Sequence, residues 1–481
     1  MWHTNRDRAT ALEYAVAGAT IWIVVAWLLR PRGLDDLDGA NFVHALSHYD
    51  LSSHMPHFPG YPVYIGVARA SSALGIDALS ALQWPGLAAW AASLVALFAA
   101  VRRHGSPVAA WVAMGVTGLA PLAFLSAGRA SSDALGSGLL ILSASLLALW
   151  VPARSSGAPQ HVPSTWRRGA LCLALVLAGL VPGVRASLLP AAAMVPLAAW
   201  LLMADARPRV VAWFALGVGL WFVPFVWVAG PELVPITRDF LAGHFLSWGG
   251  SVAVTGEPLG RAVQWIELLL VHVLGVPAAG GHALRWVAGP AALFALAAAL
   301  FTANPKRVLI AVGLCSPYLL WLWLGQNPEK PRHLLPLVPV VAVGIGIGVA
   351  GLNTVPRAVV SGALACLLVV TLGLGWDQRV QLSPPAQLAS WLPEHYPLEG
   401  TQVFAGQSER VLGVLQPAYR VEYASDQREV SRRLETYLHR PSVVLVTDEV
   451  EGASGRPVAV FERNPLVHPH GWRVTLYEVT P

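Results

Sequence analysis

Three aspartates, Asp35, Asp36 and Asp38, stand within four positions, and His44, His48, His54 and His57 follow before the segment HFPGYPVY. A lone acid at a membrane surface ordinarily marks a solvated loop. Three so close repel one another, and partial desolvation strengthens a carboxyl's hold on its proton. Such a carboxylate could serve as a general base, and the spacing leaves open which of the three it is. His54 and His57 could orient an acid, contact phosphate or bind a metal. Without a fixed acid partner they do not make up a metal site, and none is assigned. The stretch from Gly33 to Gly75 is where chemistry is expected, and the rest of the chain must hold it in place.

What holds it is membrane-embedded. The chain has 481 residues, 55% of them hydrophobic and 12% charged, with a mean hydropathy of +0.55. A soluble domain carries about 25% charged residues, so most of this chain cannot face water. Apolar runs of about twenty residues recur, each able to cross a hydrocarbon core of about 30 Å. The formal charge of +5 is modest and sits in short loops between runs. That pattern follows the positive-inside rule and speaks against nucleic-acid binding. Cys172, Cys315 and Cys366 fall inside apolar runs and read as packing residues. The first run, Ala11 to Leu29, is followed by RPRG rather than a small-residue cleavage site, and reads as a retained anchor.

Arg6 and Arg8 put the N-terminus in the cytoplasm and the acidic loop, residues 31–82, outside. Tyr61 to Gly75 is too short to span comfortably and suits an interfacial helix. With that choice Arg102-Arg103, Arg167-Arg168 and Lys306-Arg307 share one side, and about eleven spans result. The fold class expected is an α-helical polytopic membrane protein of the cell (inner or plasma) membrane. Residues 1–376 form its transmembrane part. Residues 377–481 read as a small extracytoplasmic α/β domain, with strand-like runs TQVFAG, SVVLVTD, PVAVFE and WRVTLYEV. Helical patterns lie between them at Ser408 to Leu415 and Gln427 to His439.

An acid at Asp38, an aromatic at Phe42, then Tyr49-Asp50 and HMPHFPGYPVY resemble membrane glycosyltransferases of the GT-C superfamily. The nearest branch is that of protein O-mannosyltransferases and aminoarabinose transferases. Those enzymes carry an acidic motif in the first outer loop, then a His/Pro/Gly/Tyr segment leading into a juxtamembrane helix. The chain departs from the pattern in two places. His57-Phe58-Pro59-Gly60 stands where His-Pro-Pro-Gly is common, and Gly39 follows Asp38 where Glu is common. The base thus stays among Asp38, Asp36 and Asp35, with register to Phe42 favouring Asp38.

The resemblance implies an inverting transfer of sugar from a polyprenyl-phosphate donor to an extracytoplasmic acceptor, with the lipid donor and bilayer as partners. No cofactor is implied, and a divalent metal is left open. Phosphate ligands would come from Arg185, Arg332, Lys330 and Arg69, with Arg185 preferred for its depth. Substrate contacts would come from His54, His57, Tyr61, Tyr64, Asp133 and His333, the last standing where the family has tyrosine. Each cation also reads as an interfacial snorkelling residue, and Asp133 more readily as a helix cap. A transporter or lipid flippase is the alternative class. The sequence lacks the paired, Gly/Pro-broken spans in two related halves that favour one. A scaffold or sensor would leave the acidic loop without a role.

Overall fold

The computed structural model describes residues 5–151, 164–203, 207–277, 282–302, 304–438, 441–468 and 473–479. The Pro/Ser-rich loop before Arg168 lies mostly outside the described residues, as do the side chains of Arg6, Arg8, Arg167 and Arg307. Helix α1 (Asn5–Leu28) leads to α2 (Leu37–Ser47), α3 (Pro62–Ala73), α4 (Ala78–His104), α5 (Pro107–Leu119), α6 (Pro121–Ala127), α7 (Ser132–Trp150) and α8 (Ser164–Val184). Then come α9 (Leu189–Ala192), α10 (Met194–Leu202), α11 (Arg207–Ala229), α12 (Leu233–Leu246), α13 (Val252–Thr255) and α14 (Pro258–Leu268). Helices α15 (Arg285–Thr302), α16 (Pro305–Gly325), α17 (Val338–Gly351) and α18 (Thr354–Val380) complete the apolar part.

Among the described residues, eight helices are long and apolar enough to cross a membrane, and α5 with α6 make a ninth if joined. Arg168–Val184 and Ala186–Leu202 are apolar but shorter, so eleven spans are not established as a count. In the second of these, Pro190 and Pro196 remove backbone donors and interrupt the helix. The α5–α6 bend is 58°. Pro121 drives Ala120 out of helical conformation, to φ −59°, ψ 125°, as the residue before a proline should be. The bend aims the end of α6, and Arg129 just beyond it, at the acidic loop.

Helix α3 has 12 residues, about 18 Å of helix at 1.5 Å per residue, so it is too short to span, as expected. Helix α2 is a correction to the sequence reading, which left these residues as loop. Asp36 is its N-cap and Asp38 lies in its first turn. Helices α4 and α7 pack with almost no gap. A Cβ added to Gly138 would lie 2.8 Å from the Ala89 Cβ, and one on Gly86 2.8 Å from the Ala134 Cβ. Small residues permit that approach, and it sets the first turn of α7, with Asp133, beneath the acidic loop.

The composition change at Trp376 falls inside α18, whose last turn, Asp377 to Val380, is polar. Beyond it lies α19 (Pro384–His395), followed by a five-stranded sheet of order β2-β1-β3-β5-β4. Strand β1 (Thr401–Ala405) pairs parallel with β2 (Arg420–Tyr423) and β3 (Val443–Thr447). Strand β5 (Arg473–Val479) pairs antiparallel with β3 and with β4 (Arg456–Glu462). Helices α20 (Glu409–Leu415) and α21 (Gln427–Thr436) occupy the two predicted helical stretches. Strand β2 was not predicted. Its RVEY is four residues long, charged, and at the sheet edge. Val403, Leu445 and Leu476 pack with Leu388, Leu392 and Leu412 as the core.

Candidate active site

The three aspartates fall to three different tasks. Asp36 caps α2, accepting from the Gly39 N–H at 2.9 Å, and such a cap stabilises a helix start by about 1 kcal/mol. Its other oxygen lies 3.4 Å from Arg332 Nη1. Asp35 turns away, with Arg463 Nη1 at 2.7 Å and Arg129 Nε at 3.4 Å. Asp38 accepts from Arg332 Nη2 at 2.8 Å, and its second oxygen is 3.7 Å from His57 Nδ1.

His57 is held by aromatic packing. Phe42, one turn along α2, lies against His57, Tyr61 and Tyr64, with ring centroids at 6.5, 5.0 and 5.1 Å. The Tyr61 hydroxyl meets His57 Nε2 at 2.6 Å, and the Tyr64 hydroxyl donates to the Leu82 carbonyl at 2.8 Å. Tyr61 has the left-handed backbone φ 49°, ψ 44°, a conformation costly for a non-glycine and one that packing must over-determine. The Tyr49 hydroxyl supports it by donating to the Gly60 carbonyl at 2.8 Å.

Arg332 comes from the 3-10 turn Pro331–Leu337. Besides Asp36 and Asp38 it approaches Asp133, whose Oδ2 is 3.6 Å from Nε. Asp133 does not cap α7; Ser131 does, and its hydroxyl also donates to Asp133 Oδ2 at 2.7 Å. Asp133 instead pairs with Arg185, 2.8 Å from Nε, and Arg185 Nη1 donates to Ser132 Oγ at 3.1 Å. Lys330 Nζ makes no hydrogen bond or ion pair among the described residues, and Lys330 lines a cavity of about 210 Å³. Asp36, Asp38, Arg129, Arg332 and His272 line the same cavity.

Burial raises the Asp38 carboxyl, but His57, Arg332 and Lys330 outweigh it and hold Asp38 well below the usual carboxylate range. Asp36 moves the other way, pushed up by burial and by its neighbour Asp38. Burial also opposes ionisation of Asp35, but Arg463 and Arg129 prevail and lower it. His57 is lowered by burial against the pull of Asp38. Arg332, and then burial, lower Lys330. The site thus sets Asp38 beside a buried imidazole and a cluster of cations that favour its ionised form.

The other predicted residues lie apart. Arg69 donates to the Ala45 carbonyl at 3.1 and 2.8 Å and stacks over Tyr49, so it braces the end of α2. His54 is exposed, with φ 57°. The His333 side chain is buried near Trp265, and its carbonyl accepts from Tyr318. Sequence reasoning missed Arg129, Arg463, His272, Gln407 and His468. Arg129, in GRASSD beside Asp133, could have been found as a cation at an outer junction; the others give no local signal. Among the described residues no three His, Cys, Asp or Glu side chains are arranged to hold a metal. Arg332 stands where Asp36, Asp38 and Asp133 converge.

No protein-family model matches the chain, and no curated protein matches it in sequence. Solved structures do match it. ArnT from Cupriavidus metallidurans bound to undecaprenyl phosphate aligns with a TM-score of 0.56 and 12% identity, covering 97% of both chains. The apo state of that protein gives 0.53. The Archaeoglobus fulgidus oligosaccharyltransferase in its apo form aligns at 0.52 and 11% identity, covering 94% of this chain and 73% of that one. At these identities the likeness is one of fold. The chain shares the fold of these proteins over 94% or more of its length.

Proposed function

We propose that the chain is an integral-membrane glycosyltransferase that moves a sugar from a polyprenyl-phosphate donor to an acceptor hydroxyl outside the cytoplasm. One observation carries the reading: a carboxylate, Asp38, and a lysine without an ion-pair partner among the described residues, Lys330, line the same cavity. Transfer needs both. Asp38 takes the proton of the acceptor hydroxyl as its oxygen bonds to the anomeric carbon. The bond from that carbon to the phosphate oxygen breaks with inversion, and phosphate leaves with the electron pair. Lys330 and Arg332 meet the charge that develops on it. Before the donor arrives Arg332 is bound to Asp38; a phosphate competes for the guanidinium and so frees the carboxylate. Arg185, preferred on sequence, is already engaged with Asp133 and Ser132, and therefore ranks behind Lys330. Assay of membranes with a panel of radiolabelled polyprenyl-phosphate sugars tests the proposal. Lipid movement without sugar transfer would favour a flippase instead.

Lys330→Ala is expected to leave the protein folded, since no partner is stranded, while weakening donor use. A charge-assisted contact contributes about 1.5–3 kcal/mol, so the donor KM should rise about ten- to hundredfold. Arg69→Ala should leave the donor KM unchanged. The reverse pattern would move the phosphate site to the α3 side of the loop.

The orientation proposed is N-terminus cytoplasmic, with the site and sheet outside. Arg103 donates to the Val151 carbonyl and His104 meets the Ala148 carbonyl, so the basic end of α4 shares one side with the end of α7. The acid cluster lies at the other ends of both helices. An impermeant thiol reagent should therefore label cysteines placed at Ser53 or Gly400 from outside and leave one at His104 unlabelled. Labelling at His104 would invert this topology.

A further inference from the structure

The sheet domain reaches into the acidic loop at both ends of the turn that carries Asp36 and Asp38. Before that turn, Arg463 approaches Asp35 to 2.7 Å with its side chain fully buried, and its Nη2 donates to the Gln378 carbonyl at 3.2 Å. Arg129 closes the arrangement from below. It lies 3.4 Å from the other Asp35 oxygen and donates to the Val467 carbonyl of the sheet domain. After the turn, Arg410 donates to Asn41 Oδ1 at 3.1 Å and to the Ser53 carbonyl at 3.0 Å. The Ser383 hydroxyl donates to the Leu34 carbonyl at 2.6 Å. An arginine so fully withdrawn from water is tolerated only when paired, and the partner Arg463 has is an acid three positions from Asp38.

The same domain walls the cavity. Gln407, Leu466, Val467 and His468 line it together with Asp38 and Lys330. The Gln407 amide, set among apolar side chains, offers a donor, an acceptor and CH surface. That suits a sugar ring and its hydroxyls better than a second phosphate, for which this wall supplies no Lys or Arg. We propose that the sheet domain forms the acceptor wall of the cavity and takes a sugar hydroxyl as acceptor, with Arg463 a positioning residue that fixes the Asp36–Asp38 turn through Asp35. The inference rests on the glycosyltransferase reading.

The test uses the full chain in nanodiscs, the polyprenyl-phosphate sugar giving the highest rate, and methyl glycosides as acceptor probes. Arg463→Gln should lower kcat about ten- to hundredfold, the scale of a misplacement near 1 Å, with the donor KM unchanged. Arg463→Lys should recover part of the loss. Backbone amides of Leu37 to Asn41 should exchange with deuterium faster in Arg463→Gln than in wild type. Gln407→Ala should raise the methyl glycoside KM several-fold, about one hydrogen bond's worth, again at constant donor KM. Arg433→Gln serves as the control. It breaks a pair with Glu422 and Glu429 away from the cavity and should change neither constant. An unchanged kcat and unchanged exchange in Arg463→Gln overturn the positioning role. Should that variant not fold, Gln407→Ala decides, and an unchanged methyl glycoside KM overturns the acceptor wall. Asp38→Asn run alongside separates the two levels: if it alone is inactive, only this inference falls, and if it too transfers normally, the glycosyltransferase reading falls first.

Discussion

Asp38→Asn is expected to abolish sugar transfer while the protein still inserts, folds and binds the polyprenyl-phosphate donor. The amide keeps the size of the side chain and an oxygen for Arg332, which lies 2.8 Å from Asp38 now. It lacks a basic lone pair for the acceptor proton. General-base assistance is worth about 10²–10⁴-fold in rate, so transfer should fall by that factor. Asp36→Asn should cost much less. Asp36 is occupied as a helix cap, with one oxygen held on the Gly39 N–H, although burial and repulsion from Asp38 raise its affinity for a proton. Asp35→Asn should act through the docking of Arg463 and Arg129, as lost order in the loop rather than as a lost base. The measurement is transfer beside donor binding for all three variants in the same membranes. Normal transfer by Asp38→Asn with failure of Asp36→Asn would reassign the base to Asp36.

The membrane class of the chain was legible from composition, because no packing arrangement can hide so many apolar residues from water. The candidate site was legible in part too, since acids, histidines and tyrosines crowd one stretch and the structure brings Asp36, Asp38, His57 and Tyr61 together. The division of labour among the acids was not. Nothing local separates Asp35 from Asp38; the difference lies in partners more than two hundred positions away, Arg463 for one and Arg332 for the other. The same limit applies to Arg185 and Lys330. Depth in the membrane favoured Arg185, but depth does not reveal that Asp133 already neutralises it. Lys330 has no ion pair among the described residues, whereas Arg332, two residues on, meets Asp36 and Asp38.

Helix α2 was missed for a related reason. Its apolar face, with Phe42 and Ala45, packs on Tyr61, Tyr64 and Ile65 of the same stretch, so the helix and its binding surface were read together as one loop. Strand β2 was missed because four residues, two of them charged, give too short a pattern; parallel pairing to β1 makes it a strand. In each case the missing information was the partner, and the propensity alone was ambiguous.

The second large effect is expected at Arg332. One guanidinium reaches Asp38 at 2.8 Å, Asp36 at 3.4 Å and Asp133 at 3.6 Å, and in the proposed reaction it also receives the donor phosphate. Arg332→Ala removes both services. Breaking a fully buried pair costs about 3–5 kcal/mol, and the cost here is smaller, because Asp36 and Asp38 are only partly buried and Asp133 keeps Arg185. Part of that cost is relieved as Asp36, already raised, takes up a proton. The thermal midpoint should fall, and transfer should drop below detection, since base orientation and leaving-group charge are lost together. Arg332→Lys restores the charge but not the planar fork that reaches two acids at once. It should recover most of the stability and little of the rate, with the donor KM still raised. Melting in the absence of donor, compared with single-turnover transfer from radiolabelled donor, separates these effects. If Arg332→Lys recovered stability and rate in equal measure, Arg332 would serve only to neutralise the acids, and the leaving phosphate would rest on Lys330 and Arg185.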